Sequence, residues 1–158
     1  MPKLFFTTIT NKEKSKVKEL ILSLFLKGKS KQEIYSIGKL YSDKHIIEVI
    51  RPQAVEYILN IDREQSDIYI VSASIDIWLY NFAKENNMKL IATKLAYKNG
   101  LFTGRFDGGN CKGKEKVRRI KNEINLKDYS EIISFGDSKG DKEMFAISTS
   151  IFYKPFRK

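Results

Sequence analysis

The spacing of apolar residues predicts that the first third of the chain is helical. After Thr10 the apolar residues recur every three or four positions, which is the period of an amphipathic helix, and Glu13 completes a capping-box pattern with Thr10. Ser30 and Glu33 repeat this pattern ahead of a second apolar series. Pro52, whose fixed φ suits a first helical turn, begins a third. The first two of these helices predict a small helical subdomain.

From residue 67 onward the pattern changes to short β-branched strands that alternate with helices. The predicted strands are Asp67 to Ser72, Lys89 to Ala92, Glu131 to Phe135 and Ser150 to Tyr153, and the predicted helices are Ile75 to Ala83, Lys114 to Glu123 and a short one near Met144. The dipeptide Asn99-Gly100 between two alternating runs predicts a β-hairpin. Strands separated by helices of this length predict an α/β fold with a doubly wound parallel (Rossmann-like) sheet.

Composition indicates a folded protein of one domain. The chain has 158 residues, a mass of 18.3 kDa and 42% hydrophobic residues, enough for a sizeable core. No apolar stretch approaches the roughly 20 residues of a membrane span. The apolar run at Met1 to Phe6 is too short for a secretory signal. Cys111 is the single cysteine, which excludes an internal disulfide and is typical of a reducing cytoplasm. We therefore expect a cytoplasmic protein.

The chain is basic, with a net charge of +10 and a pI near 9.6. Such a charge is one signature of a nucleic-acid partner. However, the lysines of residues 12–31 fall mostly on the expected solvent face of helices, the only dense run lies within residues 112–121, and no recognised nucleic-acid-binding motif accompanies them. Solvated helix faces therefore explain most of the charge, and binding of nucleic acid is kept only as a third alternative.

The stretch from Ser134 to Asp141 predicts a Mg²⁺ site. It follows an apolar run typical of a buried strand, and Gly136 and Gly140 permit a tight loop at the carboxyl end of that strand. Open α/β sheets bind ligands at this edge. Asp137 and Asp141 supply the one or two carboxylates that Mg²⁺ takes from a protein. The alternative is an acidic turn that leads into a helix.

A hydroxyl and a lysine are candidates for binding phosphate at the same edge. Ser72 ends its predicted strand, where its hydroxyl and the neighbouring backbone N–H groups can donate to a phosphoryl oxygen. The alternative is a helix N-cap, for which Ser72 and Ser74 are both eligible. One of Lys112, Lys114 and Lys116 can neutralise a phosphate, although a lysine in a lysine-rich chain is more often a surface residue.

In this order, the motifs resemble the haloacid dehalogenase superfamily of phosphohydrolases, specifically its phosphoserine-phosphatase-like branch (subfamily IB). The similar segments are Ile70 to Ser74, Asn110 to Val117 and Gly136 to Asp141, together with the hairpin Leu101 to Phe106 and the closing Tyr153 to Arg157, which resemble bacterial members. Three motifs in the correct order, each at a predicted strand end or helix start, are far more specific than any one of them.

The resemblance implies a role for each candidate. Ser72 is expected to hydrogen-bond the transferring phosphoryl group, with Ala73 beside it in the substrate site. Lys116 best fits the lysine of the third motif and is expected to act in catalysis by offsetting charge on the phosphate and the nucleophile. Asp137 and Asp141 are expected to hold Mg²⁺. The expected partner is a small phosphorylated metabolite.

The chain departs from the family at the first motif, an Asp-x-Asp on the central strand, where one Asp attacks phosphorus and the other handles the proton of the leaving group. The sequence has no Asp before Asp43. We therefore expect residues 1–50 to be the remnant of a helical cap and residues 51–158 to form the α/β core. The first strand and the nucleophile are expected to be absent. The expected function is a Mg²⁺-dependent phosphomonoester hydrolase that acts through an aspartyl-phosphate but is inactive as this chain; the alternative is a non-catalytic phosphate-binding or regulatory remnant.

Overall fold

The structure, a computed structural model, describes residues 11–156 except for the side chains of residues 11–13 and 47. The helices are α1 (Asn11–Leu26), α2 (Lys31–Tyr41), α3 (Ile47–Val49), α4 (Pro52–Leu59), α5 (Asp76–Glu85), α6 (Lys114–Glu123) and α7 (Lys142–Phe145). The strands are β1 (Tyr69–Ile75), β2 (Lys89–Lys98), β3 (Leu101–Asp107), β4 (Ile133–Gly136) and β5 (Ser150–Tyr153). A π-helical turn covers Ser42–Ile46, and 3₁₀ turns cover Leu126–Asp128 and Lys139–Asp141. No helix among the described residues is long and apolar enough to cross a bilayer.

Local sequence signals explain where several of these elements begin. The predicted capping box of α2 is present, since Ser30 accepts from the backbone of Glu33 and the Glu33 carboxylate accepts from Ser30. Pro52 occupies the first turn of α4. Asn99 and Gly100 both have positive φ, of 50° and 78°, and connect β2 to β3 as the predicted hairpin. The capping box predicted at Thr10 lies outside the described residues.

The strands form two separate sheets in the described part of the chain. In the first, β1 is parallel to β2, and β2 is antiparallel to β3; in the second, β4 is parallel to β5. The predicted α/β fold with parallel strands is therefore confirmed. The Ile68 carbonyl accepts from Lys89 on β2 at 2.8 Å. Because peptide groups alternate along a strand, the Val71 carbonyl lies on the opposite edge of β1, which no strand between residues 11 and 156 covers.

Two apolar clusters hold the layers together. The first joins α2 and α5 to the hairpin and consists of Leu26, Ile34, Ile75, Ile77, Leu95, Phe102 and Phe106. The second lies under α6 and α7 and consists of Ile91, Cys111, Ile120 and Met144. Cys111 is fully buried, and burial raises the pKa of its thiol. The second cluster fixes α6 against β2, which determines where the first turn of α6 lies.

Helix α1 packs on β3 through a face that its apolar period does not identify. The residues that define the predicted helix, Val17, Leu20, Ile21, Leu24 and Phe25, are 50–75% exposed. The face toward β3 instead carries Leu26, which is buried in the same apolar cluster as Phe102 and Phe106. It also carries Ser23, which lies against Gly104, and Glu19, whose carboxylate accepts from the backbone of Phe106 at 2.6 Å. The prediction of the helix is confirmed, but the apolar residues from which it was predicted are exposed.

Candidate active site

The carboxyl ends of β1 and β4 open into one cavity of about 710 Å³. Its walls are residues 71–74 from β1, residues 135–138, 140 and 141 from β4 and the following loop, and Lys14, Lys18, Arg51, Asn110, Lys112, Lys116, Lys154, Pro155 and Phe156. The five residues singled out in the sequence, Ser72, Ala73, Lys116, Asp137 and Asp141, all line this cavity. Strand ends far apart in sequence thus bring together the candidates predicted from their separate motifs.

Lys116 connects the two sheets across the floor of the cavity. It lies in the first turn of α6 and is 6% exposed. Its Nζ donates to the Val71 carbonyl at 2.7 Å and to Asp141 Oδ1 at 2.6 Å. Of the other two candidate lysines, Lys112 lines the cavity, whereas Lys114 is exposed and does not line it. The geometry therefore distinguishes Lys116 as the buried cation of the three.

Asp141 uses both carboxylate oxygens inside the protein. Oδ1 accepts from Lys116, and Oδ2 accepts from the backbone N–H of Ser138 at 3.0 Å and from its hydroxyl at 2.8 Å. Burial opposes ionisation of this carboxyl, but the hydrogen bonds from Lys116 and Ser138 outweigh it, so the pKa of Asp141 lies below its ordinary value. Asp137, in contrast, has an exposed side chain on the cavity wall. The two carboxylates therefore have different environments.

The two glycines of the loop are needed for space rather than for backbone freedom. Neither Gly136 nor Gly140 has a positive φ. A Cβ added at Gly136 would lie 2.7 Å from Cζ of Phe145 and 2.9 Å from Cβ of Asp141. A Cβ added at Gly140 would lie 2.9 Å from Cε of Lys112. Close approach of side chains to the loop backbone thus explains both positions, and the tight loop that they were expected to permit is the 3₁₀ turn Lys139–Asp141.

Ser72 is not a helix cap. The N-cap position of α5 is Ile75, so the capping alternative is wrong for Ser72 and for Ser74. Ser72 Oγ instead accepts from the backbone N–H of Ser74 at 3.0 Å, which closes a small turn at the end of β1. Because an accepting hydroxyl keeps its own proton, Ser72 can still donate to a group in the cavity.

Two polar residues that sequence reasoning missed contact the Ala73 carbonyl, next to Ser72 in the chain. Lys18 of α1 donates through Nζ to the Ala73 carbonyl, and the same Nζ is 3.5 Å from Asn110 Oδ1. Thr93 is fully buried, with its hydroxyl 2.8 Å from the Ala73 carbonyl and 3.0 Å from Asn110 Oδ1. Burial lowers the pKa of Lys18. No sequence signal identifies Lys18, because it is one of many lysines on a lysine-rich helix.

Arg119 holds the loop that connects the end of β3, at Asp107, to Asn110. Its guanidinium donates to the carbonyls of Ala92 at 2.7 Å and of Asp107 and Gly109 at 2.9 Å each. It also pairs with Glu115 at 2.8 Å. A planar donor fork satisfies several fixed acceptors at once. Arg119 therefore holds α6, and with it Lys116, in place against β2.

The described residues contain no group of three or more His, Cys, Asp or Glu side chains that could hold a metal by themselves. Mg²⁺ needs fewer, since it usually keeps several waters and takes one or two carboxylates together with substrate phosphate. Asp137 fits this requirement, because its exposed carboxylate lies on the wall of the cavity. Asp141 fits as support, because its oxygens already accept from Lys116 and Ser138.

Comparisons with known proteins agree with this arrangement. A family model described as "haloacid dehalogenase-like hydrolase" matches residues 2–146. Protein CicA of Caulobacter vibrioides is 30% identical over 151 residues, which cover 94% of this chain and 68% of CicA. The likeness to a curated relative thus extends over nearly the whole chain.

Two solved structures share the fold. A protein of unknown function from Bordetella pertussis Tohama I superposes with a TM-score of 0.75 at 21% identity, over 87% of this chain and 64% of that one. A phosphoserine phosphatase solved as an analogue of its phospho-aspartyl intermediate superposes with a TM-score of 0.54 at 21% identity, over 87% of this chain and 63% of that one. The chain thus spans somewhat less than two thirds of the length of either structure.

Proposed function

Since the chain belongs to the haloacid dehalogenase-like hydrolase family, we propose that it supplies the phosphate- and metal-binding side of a Mg²⁺-dependent phosphomonoester hydrolase that acts through an aspartyl-phosphate. The observation that carries this proposal is the buried contact of 2.6 Å between Lys116 and Asp141 at the floor of the cavity lined by Ser72 and Asp137. A cation, a hydroxyl donor and an exposed carboxylate around one cavity are the groups that bind a phosphoryl group and its metal.

Each residue has a distinct role in this proposal. Ser72 donates its hydroxyl proton to a phosphoryl oxygen while Ser74 holds that hydroxyl in place. Lys116 offsets negative charge on the phosphoryl group, and Asp141 orients Lys116. Asp137 is the direct Mg²⁺ ligand. When bound, Mg²⁺ would neutralise charge on the transferring phosphoryl oxygens.

The nucleophile is proposed to lie on a strand that is not among these 158 residues. The sequence contains no Asp-x-Asp. One edge of β1 pairs with no strand between residues 11 and 156, and the Val71 carbonyl on that edge accepts from the Lys116 side chain, which supports the proposal. A strand between β1 and β4 would bring its carboxyl end to the same cavity. The 158-residue chain alone is accordingly proposed to be inactive.

The phosphate and metal sites can be tested by ligand-dependent stability. Inorganic phosphate with Mg²⁺, at about 100 times its dissociation constant, should raise the melting temperature by about 5–11 °C, since a ligand that binds only the folded state stabilises it. Asp137→Asn and Ser72→Ala should abolish most of this rise. Asp128→Asn, a change at an exposed carboxylate outside the cavity, is the matched control. Equal shifts in all four proteins would overturn the proposed site.

A second candidate, a non-catalytic phosphate-binding or regulatory protein, is favoured by one observation. The cavity residues are present, whereas the 158 residues lack the Asp-x-Asp. The intact mass of the endogenous protein distinguishes the two candidates. A mass several kilodaltons above 18.3 kDa, with an Asp-x-Asp strand in the additional residues, supports the hydrolase, whereas 18.3 kDa together with ligand binding supports the second candidate. Turnover of p-nitrophenyl phosphate by the purified 158-residue chain, lost on Asp137→Ala, would refute the proposed inactivity.

A further inference from the structure

The charges around the cavity exceed what a single phosphate needs. Among the described residues that line it, six are cationic, namely Lys14, Lys18, Arg51, Lys112, Lys116 and Lys154. Two are carboxylates, Asp137 and Asp141. The two positive charges of the proposed Mg²⁺ would cancel the two negative charges of an Asp-x-Asp, so together they would not change this sum. A phosphoryl group of nearly two negative charges then leaves the lining with a net charge of about +2.

Lys18 is where this excess is most costly. Its ammonium group is half-buried on the wall of the cavity, and removing an ammonium from water is unfavourable unless an anion accompanies it. In the part of the chain that the structure describes, the partners of Lys18 are neutral: the Ala73 carbonyl, the Asn110 side chain and the ring of Phe106. Burial accordingly lowers the pKa of Lys18. An anion that binds next to Lys18 would relieve this desolvation.

Lys18 reaches the cavity from a different element than the residues of the proposed phosphate site. Lys18 belongs to α1, whereas Ser72, Lys116 and Asp137 belong to the two sheets or to the elements that follow their strands. Lys14, one turn earlier on α1, lines the same cavity, and residues four apart lie on one helix face. Two lysines from a separate element thus face the cavity beside the end of β1.

We propose that Lys18, assisted by Lys14, recognises a second anionic group of the substrate, so that this cavity takes a phosphomonoester that also carries a phosphate, phosphodiester or carboxylate. This inference rests on the proposed function, because it treats the residues at the strand ends as the subsite of the transferred phosphate. Lys18 is then a specificity-determining residue contributed by the helical part of the chain.

Calorimetric titration of the 158-residue chain in Mg²⁺ buffer at fixed ionic strength tests the proposal. The probes are propyl phosphate and propane-1,3-diyl bisphosphate, which differ in one phosphate. The bisphosphate should bind about ten- to hundredfold more tightly, which is the range expected when a charged group gains a hydrogen-bonded ion partner. Lys18→Met should remove most of this preference and change the affinity for propyl phosphate much less. Lys16→Met, at an exposed lysine of the same helix outside the cavity, should leave both affinities unchanged.

The outcomes separate this inference from the proposed function. If propyl phosphate binds and the bisphosphate gains nothing, or if Lys18→Met weakens both probes equally, the second subsite is wrong while the phosphate site stands. If the bisphosphate binds in a Lys18-dependent manner but Ser72→Ala affects neither probe, the anion site stands and the proposed function fails. If neither probe binds, both are wrong.

Sedimentation with lipid vesicles tests whether the second anion belongs to a small metabolite or to a lipid headgroup. Vesicles of phosphatidylcholine that display phosphatidylinositol 4-phosphate carry a phosphomonoester and a phosphodiester on one headgroup. Lys18-dependent sedimentation with these vesicles, and none with phosphatidylcholine alone, would assign the site to a lipid. Binding restricted to the bisphosphate in solution would assign it to a metabolite.

Discussion

Replacing Lys116 by methionine should strongly destabilise the fold, because it breaks a buried ion pair from one side. Both partners are buried, Lys116 at 6% and Asp141 at 6% exposure, and their atoms are 2.6 Å apart. Removal of one member of such a pair costs about 3–5 kcal/mol, since it leaves an uncompensated buried charge. For a domain of this size, that loss corresponds to a fall of about 6–20 °C in melting temperature.

The pH dependence of this loss tests its cause. In the native chain the pKa of Asp141 is depressed, so its ionisation contributes stability above about pH 4, which is lost as the pH falls through the lower pKa of the folded state. In Lys116→Met the burial of Asp141 is no longer outweighed, so the pKa of Asp141 should rise above its value in the unfolded chain. The variant then regains stability as Asp141 takes up a proton. The difference in free energy of unfolding between the native chain and Lys116→Met should therefore become smaller as the pH is lowered from 7 to 4.

Urea denaturation followed by circular dichroism measures both effects. Lys121→Met, at an exposed lysine of the same helix, is the control and should change the free energy of unfolding by less than about 0.5 kcal/mol. Adding Asp141→Asn to Lys116→Met removes the unpaired charge and should recover part of the loss. A Lys116→Met protein as stable as the control, or a penalty that is constant from pH 7 to pH 4, would refute the reasoning.

Two further substitutions test how the loop and helix positions are held. Arg119→Lys removes a planar guanidinium that donates to three carbonyls, so it should lower the free energy of unfolding, measured by urea denaturation, by about 1.5–3 kcal/mol. Arg118→Lys, at the exposed neighbour, is the control and should lower it by less than about 0.5 kcal/mol. Equal losses in the two variants would count against the role of Arg119. Gly136→Ala forces a methyl group against the ring of Phe145 and should cost about 1–3 kcal/mol. Gly140→Ala should cost less, because the flexible lysine end that it meets can move, and the reverse order of melting temperatures would contradict this account.

The elements that the sequence predicts well are those whose signals lie in adjacent residues. The capping box of Ser30 and Glu33 and the Asn99-Gly100 turn each fix a boundary through contacts between near neighbours. The convergence of Ser72 with Asp137 was also predictable, because parallel topology brings the carboxyl ends of strands to one edge. Local chemistry and topology thus account for the framework of the site.

The contacts that the sequence does not predict depend on tertiary packing. The apolar residues that define helix α1 are exposed, and the helix contacts β3 through Leu26, Ser23 and Glu19. The apolar period therefore identifies the helix and not its buried side. The role of Lys18 follows from this orientation and is invisible in a lysine-rich segment. Similarly, only the fold shows that the Asp141 carboxylate accepts hydrogen bonds from Lys116 and Ser138, so that its environment differs from that of Asp137.

The edge of β1 that no strand between residues 11 and 156 covers is connected to the chemistry of the cavity. A strand carbonyl normally accepts from the N–H group of the next strand, but the Val71 carbonyl accepts from Lys116, and the Ala73 carbonyl accepts from Lys18. These two lysines therefore act as partners of the strand edge as well as cations of the cavity. In the proposed enzyme, a strand placed between β1 and β4 would compete for the Val71 carbonyl and free a donor of Lys116 for the carboxylate that attacks phosphorus. Insertion of this strand would then both pair the edge of β1 and make Lys116 available for catalysis.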